Sequence, residues 1–117
     1  MSYHHHMQYE LQKFTLGSGR CPFDEWLFAL DNVTAVRVAR CVKRLEAGNF
    51  GNCKTLSNGV SELRMDFGPG YRAYFSREGR VIVLLLCGGD KSTQAADIAR
   101  AAEYRATFRA ANQGGTK

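Results

Sequence analysis

Lys54, Arg64, Arg72 and Lys91 bring four cationic heads into the second half of the chain, with Tyr71 and Tyr74 interleaved. Guanidinium forks match phosphate oxygens at two points, ammonium groups neutralise them as point charges, and tyrosine rings stack on unpaired bases. The set suits a phosphodiester ligand. The plainer reading is that Arg64 pairs with Glu62 or Asp66 on a solvated face. A second set, Arg37, Arg40 and Arg44, recurs at i, i+3 and i+7 with Lys43 beside it, so it falls on one side of a helix. It reads either as a solvated face or as a track along a nucleic-acid backbone. A third candidate is Gly88-Gly89-Asp90-Lys91-Ser92-Thr93-Gln94, where a buried strand meets a helix. Backbone N–H groups and a lysine at a helix start suit an anion, although a glycine turn with a capped helix fits as well. The spacing is not that of a P-loop, so ATP is not implied.

Other chemistry is excluded by what the sequence lacks. All three histidines stand at positions 4–6, inside a run (MSYHHH) that reads as the remnant of an affinity tag. Without them, histidine acid–base catalysis, histidine-paired nucleophiles and histidine-ligated zinc are unsupported. Asp90 and Asp97 are about two helical turns apart with no second acidic cluster nearby, which argues against a two-metal nuclease. No metal and no cofactor is expected. The four cysteines, Cys21, Cys41, Cys53 and Cys87, form no C-x-x-C pair; Cys41 and Cys87 lie in apolar runs and read as buried. Scattered thiols without a secretory signal point to a reducing cytoplasm. The apolar run Val81–Cys87 is far too short to cross a bilayer, so no membrane partner is expected. A net charge of +5, from 16 basic and 11 acidic residues, favours a polyanionic or acidic partner.

The elements that must position these groups form one domain over residues 7–112, with 113–117 as a frayed tail. At this length there is room for one core but not for a nucleotide-binding domain plus a catalytic one. Residues 7–16 suit a half-buried strand. Pro22, Asp24 and Glu25 open a helix whose Phe23, Trp26, Leu27 and Leu30 make an apolar stripe. Asp31 or Asn32 caps a second helix running to about Ala47, with Gly48 as its stop. Val60–Phe67 alternates, with Leu63, Met65 and Phe67 opposite Glu62, Arg64 and Asp66. Gly68-Pro69-Gly70 turns the chain into a strand at Tyr71–Phe75, Arg77–Arg80 turns it again, and Val81–Cys87 reads as a central strand buried on both faces. A final helix covers roughly 93–111. The fold expected is α+β: an N-terminal strand and helical hairpin, a three-stranded antiparallel meander and a C-terminal helix, with the helices on one side. The other sheet face is then open, lined by Glu62, Arg64 and Arg72.

Four strings occur in order: Gly48-Asn49-Phe50-Gly51-x-x-Lys54-x-Leu56, Gly59-Val60-x-Glu62-Leu63-Arg64, Gly68-Pro69-Gly70-Tyr71-Arg72-x-Tyr74-Phe75, and Leu86-Cys87-Gly88-Gly89-Asp90-Lys91-Ser92-x-Gln94. With the Phe23-x-x-Trp26-Leu27 opening of the first helix, they resemble the RelE/ParE toxin superfamily over residues 7–110. The resemblance is to its HigB-like branch, the addiction-module killer proteins. It implies a RelE-like compact domain acting as a cytoplasmic toxin of a type II toxin–antitoxin system. Relatives with RNase activity cut mRNA without a metal, usually in the ribosomal A site, leave a 2′,3′-cyclic phosphate and block translation. The implied partners are mRNA, the ribosome and a cognate antitoxin carrying a helix-turn-helix domain.

Matched by position, the resemblance makes Arg64 the phosphate-binding, transition-state-stabilising cation and Lys54 the general base or a second clamp. Arg72 adds a phosphate contact and Tyr71 stacks or orients. Lys91 belongs to the branch's own string and joins the catalytic set on that ground. Tyr74, Arg37, Arg40 and Arg44 complete the RNA-binding set. Two departures matter. Histidines used by some HigB relatives are missing, so their mechanism does not transfer. Tyr104, nearest to the C-terminal catalytic tyrosine of some RelE relatives, falls inside a helix and reads as packed. The ParE side of the superfamily inhibits DNA gyrase by binding it, and stands as the alternative. Arg64, Arg72 and Lys54 favour RNA cleavage over it. A third reading is a prophage relic that keeps its antitoxin and has lost catalysis.

Overall fold

Pro22 starts α1 (Pro22–Phe28) in a position where its missing N–H costs nothing, and Asp24 and Glu25 complement the positive end of the dipole. The computed structural model describes residues 8–114; the tag reading at 1–6 and the last residues of the tail lie outside them. Before α1 comes β1 (Glu10–Lys13). After it, α2 (Asn32–Lys43) is capped by Asp31, whose carboxylate accepts from the Thr34 backbone N–H at 3.1 Å. The chain tightens into a 3-10 turn over Arg44–Ala47 and stops at Gly48, where φ is 80°. Then come β2 (Cys53–Thr55), β3 (Ser61–Met65), β4 (Tyr71–Glu78), β5 (Ile82–Gly89) and α3 (Gln94–Gly114).

The five strands form one sheet in the order β1-β5-β4-β3-β2, with β1 parallel to β5 and every other pair antiparallel. The meander thus has four strands where three were expected. β2 is too short to give an alternating pattern, and it carries Lys54, which lies in none of the expected strands. β4 runs on to Glu78 instead of stopping at Phe75. Its polar Ser76 and Glu78 are buried against α3: Ser76 Oγ donates to Glu78 at 2.6 Å, and Arg105 and Arg109 reach the same carboxylate at 3.3 and 3.4 Å.

The larger correction concerns the layers. α1 and α2 cover one face, packing Phe23, Leu27, Val38, Val42 and Leu45 on Leu63, Met65, Phe75 and Leu85. α3 covers the other through Ala101, with Ile98 and Phe108 against Val60, Tyr74 and Leu84. The helices are therefore on both sides, and the supposed open face is largely closed. Its physical reason is β5. Tyr74 pairs with Cys87 and Phe75 with Leu85, so Leu86 is an extra residue. The bulge turns Leu86 and Cys87 to the same side, adding apolar surface that only a helix could bury. No helix among the described residues is long and apolar enough to cross a membrane.

Candidate nucleic-acid interface

The register of β3 and β4 sets Arg64 directly opposite Arg72. Like charges facing each other across a ladder are unfavourable, so this pair is a local cost of the fold. One step along the strands, Lys54 faces Glu62 and Glu62 faces Tyr74. Lys54, Arg64 and Arg72 therefore belong to one side of the sheet, away from the α1/α2 core.

Their environments differ sharply. The Arg64 side chain is 53% exposed and its Nε stands 3.8 Å from Glu62 Oε2. Glu62 is buried and also accepts from Gln94 Nε2 at 2.9 Å, so its carboxylate is anchored beneath the arginine. Arg72 is enclosed: Nη1 donates to the carbonyls of Gly70 and Tyr71 at 3.2 and 3.4 Å, while Nε is buried without a partner. It braces the β3–β4 turn. Lys91 is exposed just before α3; a Cβ on Gly70 would meet Lys91 Cβ at 3.4 Å and Arg72 Nη1 at 3.5 Å, so both cations flank that turn.

Neither tyrosine has a free ring face of the kind expected for base stacking. Tyr74 is fully buried under α3, its hydroxyl has no hydrogen-bond partner, and burial, with Glu62 and Asp97 nearby, pushes its pKa up. Tyr71 points to the opposite side of the sheet, between Trp26 at 6.2 Å and Phe67 at 5.6 Å. Tyr104 packs on Phe14 at 5.1 Å, as its place in a helix implied. Burial also pushes the Cys53 thiol up to about 11 and that of Cys87 to about 12, which removes both as nucleophiles.

The Gly88–Gln94 string turns out to be structural in its backbone. A Cβ on Gly88 would stand inside the Trp26 ring, and one on Gly89 would collide with the Asp97 carboxylate. Consecutive strand residues point to opposite faces, so the two glycines admit one large side chain from each helical layer. Asp90 then accepts from Ser92 N–H at 2.8 Å and donates its own N–H to Thr93 Oγ1 at 3.3 Å. The carboxylate occupies the donors that an external anion would need.

The accessible cations converge instead at the far edge of the sheet. β2 begins only at Cys53, with one further bond from Arg64 N–H to the Asn52 carbonyl, 3.0 Å, so the β3 edge beyond it has no neighbouring strand. Between that edge and α2 runs a groove of about 380 Å³, lined by Arg37, Arg40, Arg44, Asn49, Asn52 and Arg64 among others. A second, of about 320 Å³, adds Lys54 and shares Asn52, Arg64 and Asp66 with the first. Arg37 is held over the Phe67 ring at 3.9 Å. Among the described residues, Arg37, Arg40, Arg44, Lys54, Arg72 and Lys91 have no carboxylate partner. No group of three metal-ligating side chains occurs among them either.

The structure thus joins Arg64 to the α2 stripe and Lys54, and leaves Tyr71, Tyr74 and the Arg72 head outside the groove. Sequence reasoning missed Asn49, Asn52 and Asp66 as lining residues. Asp66 shares the strand side of Glu62 and Arg64, a signal that was present; the asparagines gave none, because the groove exists only where β2 stops short.

Residues 25–111, which include every groove residue, match the family model described as phage-derived protein Gp49-like (DUF891). The chain belongs to the Gp49-like family. This is a RelE-like toxin family of addiction modules, whose members are paired with an antitoxin. A Gp49-like chain of this kind is also similar to an uncharacterized protein of Haemophilus influenzae (strain ATCC 51907 / DSM 11121 / KW20 / Rd). The two are 50% identical over 80 residues, 68% of this chain and 81% of the relative. No solved structure matches it significantly.

Proposed function

We propose that this Gp49-like chain is an mRNA interferase of the HigB-like branch: a metal-independent endoribonuclease that acts on ribosome-bound message and is silenced by its antitoxin. The observation that carries this reading is the groove in which Arg37, Arg40, Arg44, Arg64 and Lys54 converge, with Arg64 alone of the five ion-paired among the described residues and Asp66 the one acidic side chain in the lining. A surface built this way attracts a polyanion and holds its phosphates.

In the proposed reaction the 2′-oxygen attacks the adjacent phosphorus, the bond to the 5′-oxygen breaks, and a 2′,3′-cyclic phosphate and a free 5′-hydroxyl result. Arg64 binds the non-bridging oxygens and stabilises the extra negative charge of the pentacoordinate state; Glu62, anchored by Gln94, fixes its orientation. Lys54 is the second clamp, and its ammonium can give a proton to the departing 5′-oxygen. Asp66, the one acidic side chain lining either groove, is the acceptor for the 2′-hydroxyl proton. Arg72 and Lys91 add positive field from behind, and the α2 arginines hold flanking phosphates.

Primer extension on a defined mRNA, with and without translating ribosomes, tests this. New 5′ ends that appear only during translation and vanish with Arg64→Ala are expected. Intact message with normal translation overturns the nuclease reading in favour of ParE-like gyrase inhibition or an inactive relic.

A further inference from the structure

α2 has a second apolar stripe that the fold does not use. Val38 and Val42 face the core, while Val33 and Val36, one turn apart, are 80% and 52% exposed; Phe28, at the end of α1, is 73% exposed. An exposed valine alone needs no explanation, but these are the bulk of the large exposed hydrophobics among the described residues, and all three fall on the hairpin. Val33 and Val36 floor a shallow groove of about 500 Å³ whose wall is Arg37 and Arg40. The same two arginines wall the cationic groove described above. α2 carries no acidic residue, and Arg40 and Lys43 occupy its last turn.

We propose that this strip is where the antitoxin docks, through an amphipathic helix with acidic residues along one flank. Apolar side chains of that helix cover Val33, Val36 and Phe28, and its carboxylates pair with Arg37 and Arg40. RNA is a poor match for the strip, because phosphates gain nothing from valines. A helix with one apolar and one acidic flank matches both halves of the surface. Because Arg37 and Arg40 belong to both grooves, an occupied strip removes two phosphate-binding cations from the RNA groove and sets negative charge at its mouth. Inhibition then needs no contact with Arg64 or Lys54. The inference rests on the toxin reading and goes beyond it by locating the partner and its mode of action.

The test uses the full chain and, as probe, the purified product of the reading frame adjoining the toxin gene. Phe28→Ser, Val33→Asp and Val36→Asp change exposed side chains, so the variants fold; Val81→Asp, at an exposed valine on the β4–β5 turn, is the control. Each strip variant is expected to lose at least about 30-fold in affinity for the probe. Phe28→Ser, which adds no charge beside the arginines, still arrests growth when expressed alone, and the probe no longer rescues it. Hydrogen exchange of the wild-type complex is expected to show protection gained over residues 28–44. Strip variants that bind and are rescued like the Val81→Asp control overturn the docking site and leave the toxin reading intact. Dimerisation of the free wild-type chain that Val33→Asp abolishes assigns the strip to a second copy and also overturns it. A wild-type chain that neither arrests growth nor binds the probe overturns the toxin reading, and the docking site with it.

Discussion

Replacing Arg64 with alanine separates the cost to folding from the cost to catalysis. In the folded protein Arg64 has one carboxylate neighbour, Glu62, at 3.8 Å, and its side chain is 53% exposed. A pair at that distance and exposure contributes less than about 1 kcal/mol. Glu62 keeps Gln94 as a donor after the substitution, so it is not orphaned. Removing Arg64 also relieves its repulsion with Arg72 across the ladder. The melting temperature of Arg64→Ala is therefore expected within about 4 °C of wild type. Catalysis responds on a different scale, because a cation aimed at the charge that develops in the transition state contributes about 3–4 kcal/mol. Cleavage of a defined mRNA during translation, read as the rate at which new 5′ ends appear, should fall about 100- to 1000-fold. Arg64→Lys should land between the two, since it keeps the charge and loses the fork. A rate within about threefold of wild type, with unchanged melting, would sink the assignment of Arg64 to the phosphate.

The remaining predictions concern features the sequence presented ambiguously. Gly89→Ala forces a methyl group into the buried Asp97 carboxylate, so it should cost at least about 3 kcal/mol in urea unfolding, whereas Gly17→Ala, with open space around it, should be close to neutral. Tyr74→Phe removes a buried hydroxyl that has no partner; equal or higher stability and unchanged RNA affinity are expected, and a loss above about 1 kcal/mol would mean that the hydroxyl is satisfied after all. The Asp90 carboxyl is held below its ordinary value by hydrogen bonds from Ser92, so the stability it contributes is full above the unfolded carboxyl value and is lost as pH falls through the lower folded one. Asp90→Ala should thus be about 1 kcal/mol less stable than wild type at neutral pH, with the gap closing below about pH 4; a gap that persists in acid would assign the effect to packing.

Local signals in the sequence carried most of the elements. Pro22 marked the start of α1, Asp31 the cap of α2, Gly48 its end, and the alternation around Leu63 and Met65 the two sides of β3. Each depends on neighbours a few residues away, which a sequence displays directly. What failed depended on distant partners. The run Val81–Cys87 was recognised as apolar on both faces, yet the helices were expected on one side only; a strand buried on both faces already required a second layer. Tyr74 looked like a stacking platform because a tyrosine hydroxyl is usually given a partner or water, and nothing local reveals that α3 covers it. The candidate site was legible in its residue types. Its shape was not, because Arg37 and Arg64 meet only through the early end of β2.

The placement of β1 sets an order on synthesis. Its partner in the sheet is β5, with Glu10 beside Ile82 and Lys13 beside Leu85, so β1 stays unpaired until β5 has been made. α1 and α2 wait with it, since the face they cover includes Phe75 and Leu85. Nor can α3 seat on its side before the strands it covers have been made. The cationic groove stands on a strand edge held in place by these layers, so it takes shape only with β5 and the helices in position. Pairing across so much sequence is slow, so the closing of β1 onto β5 is expected to follow the forming of the local elements and to set when the groove takes its shape.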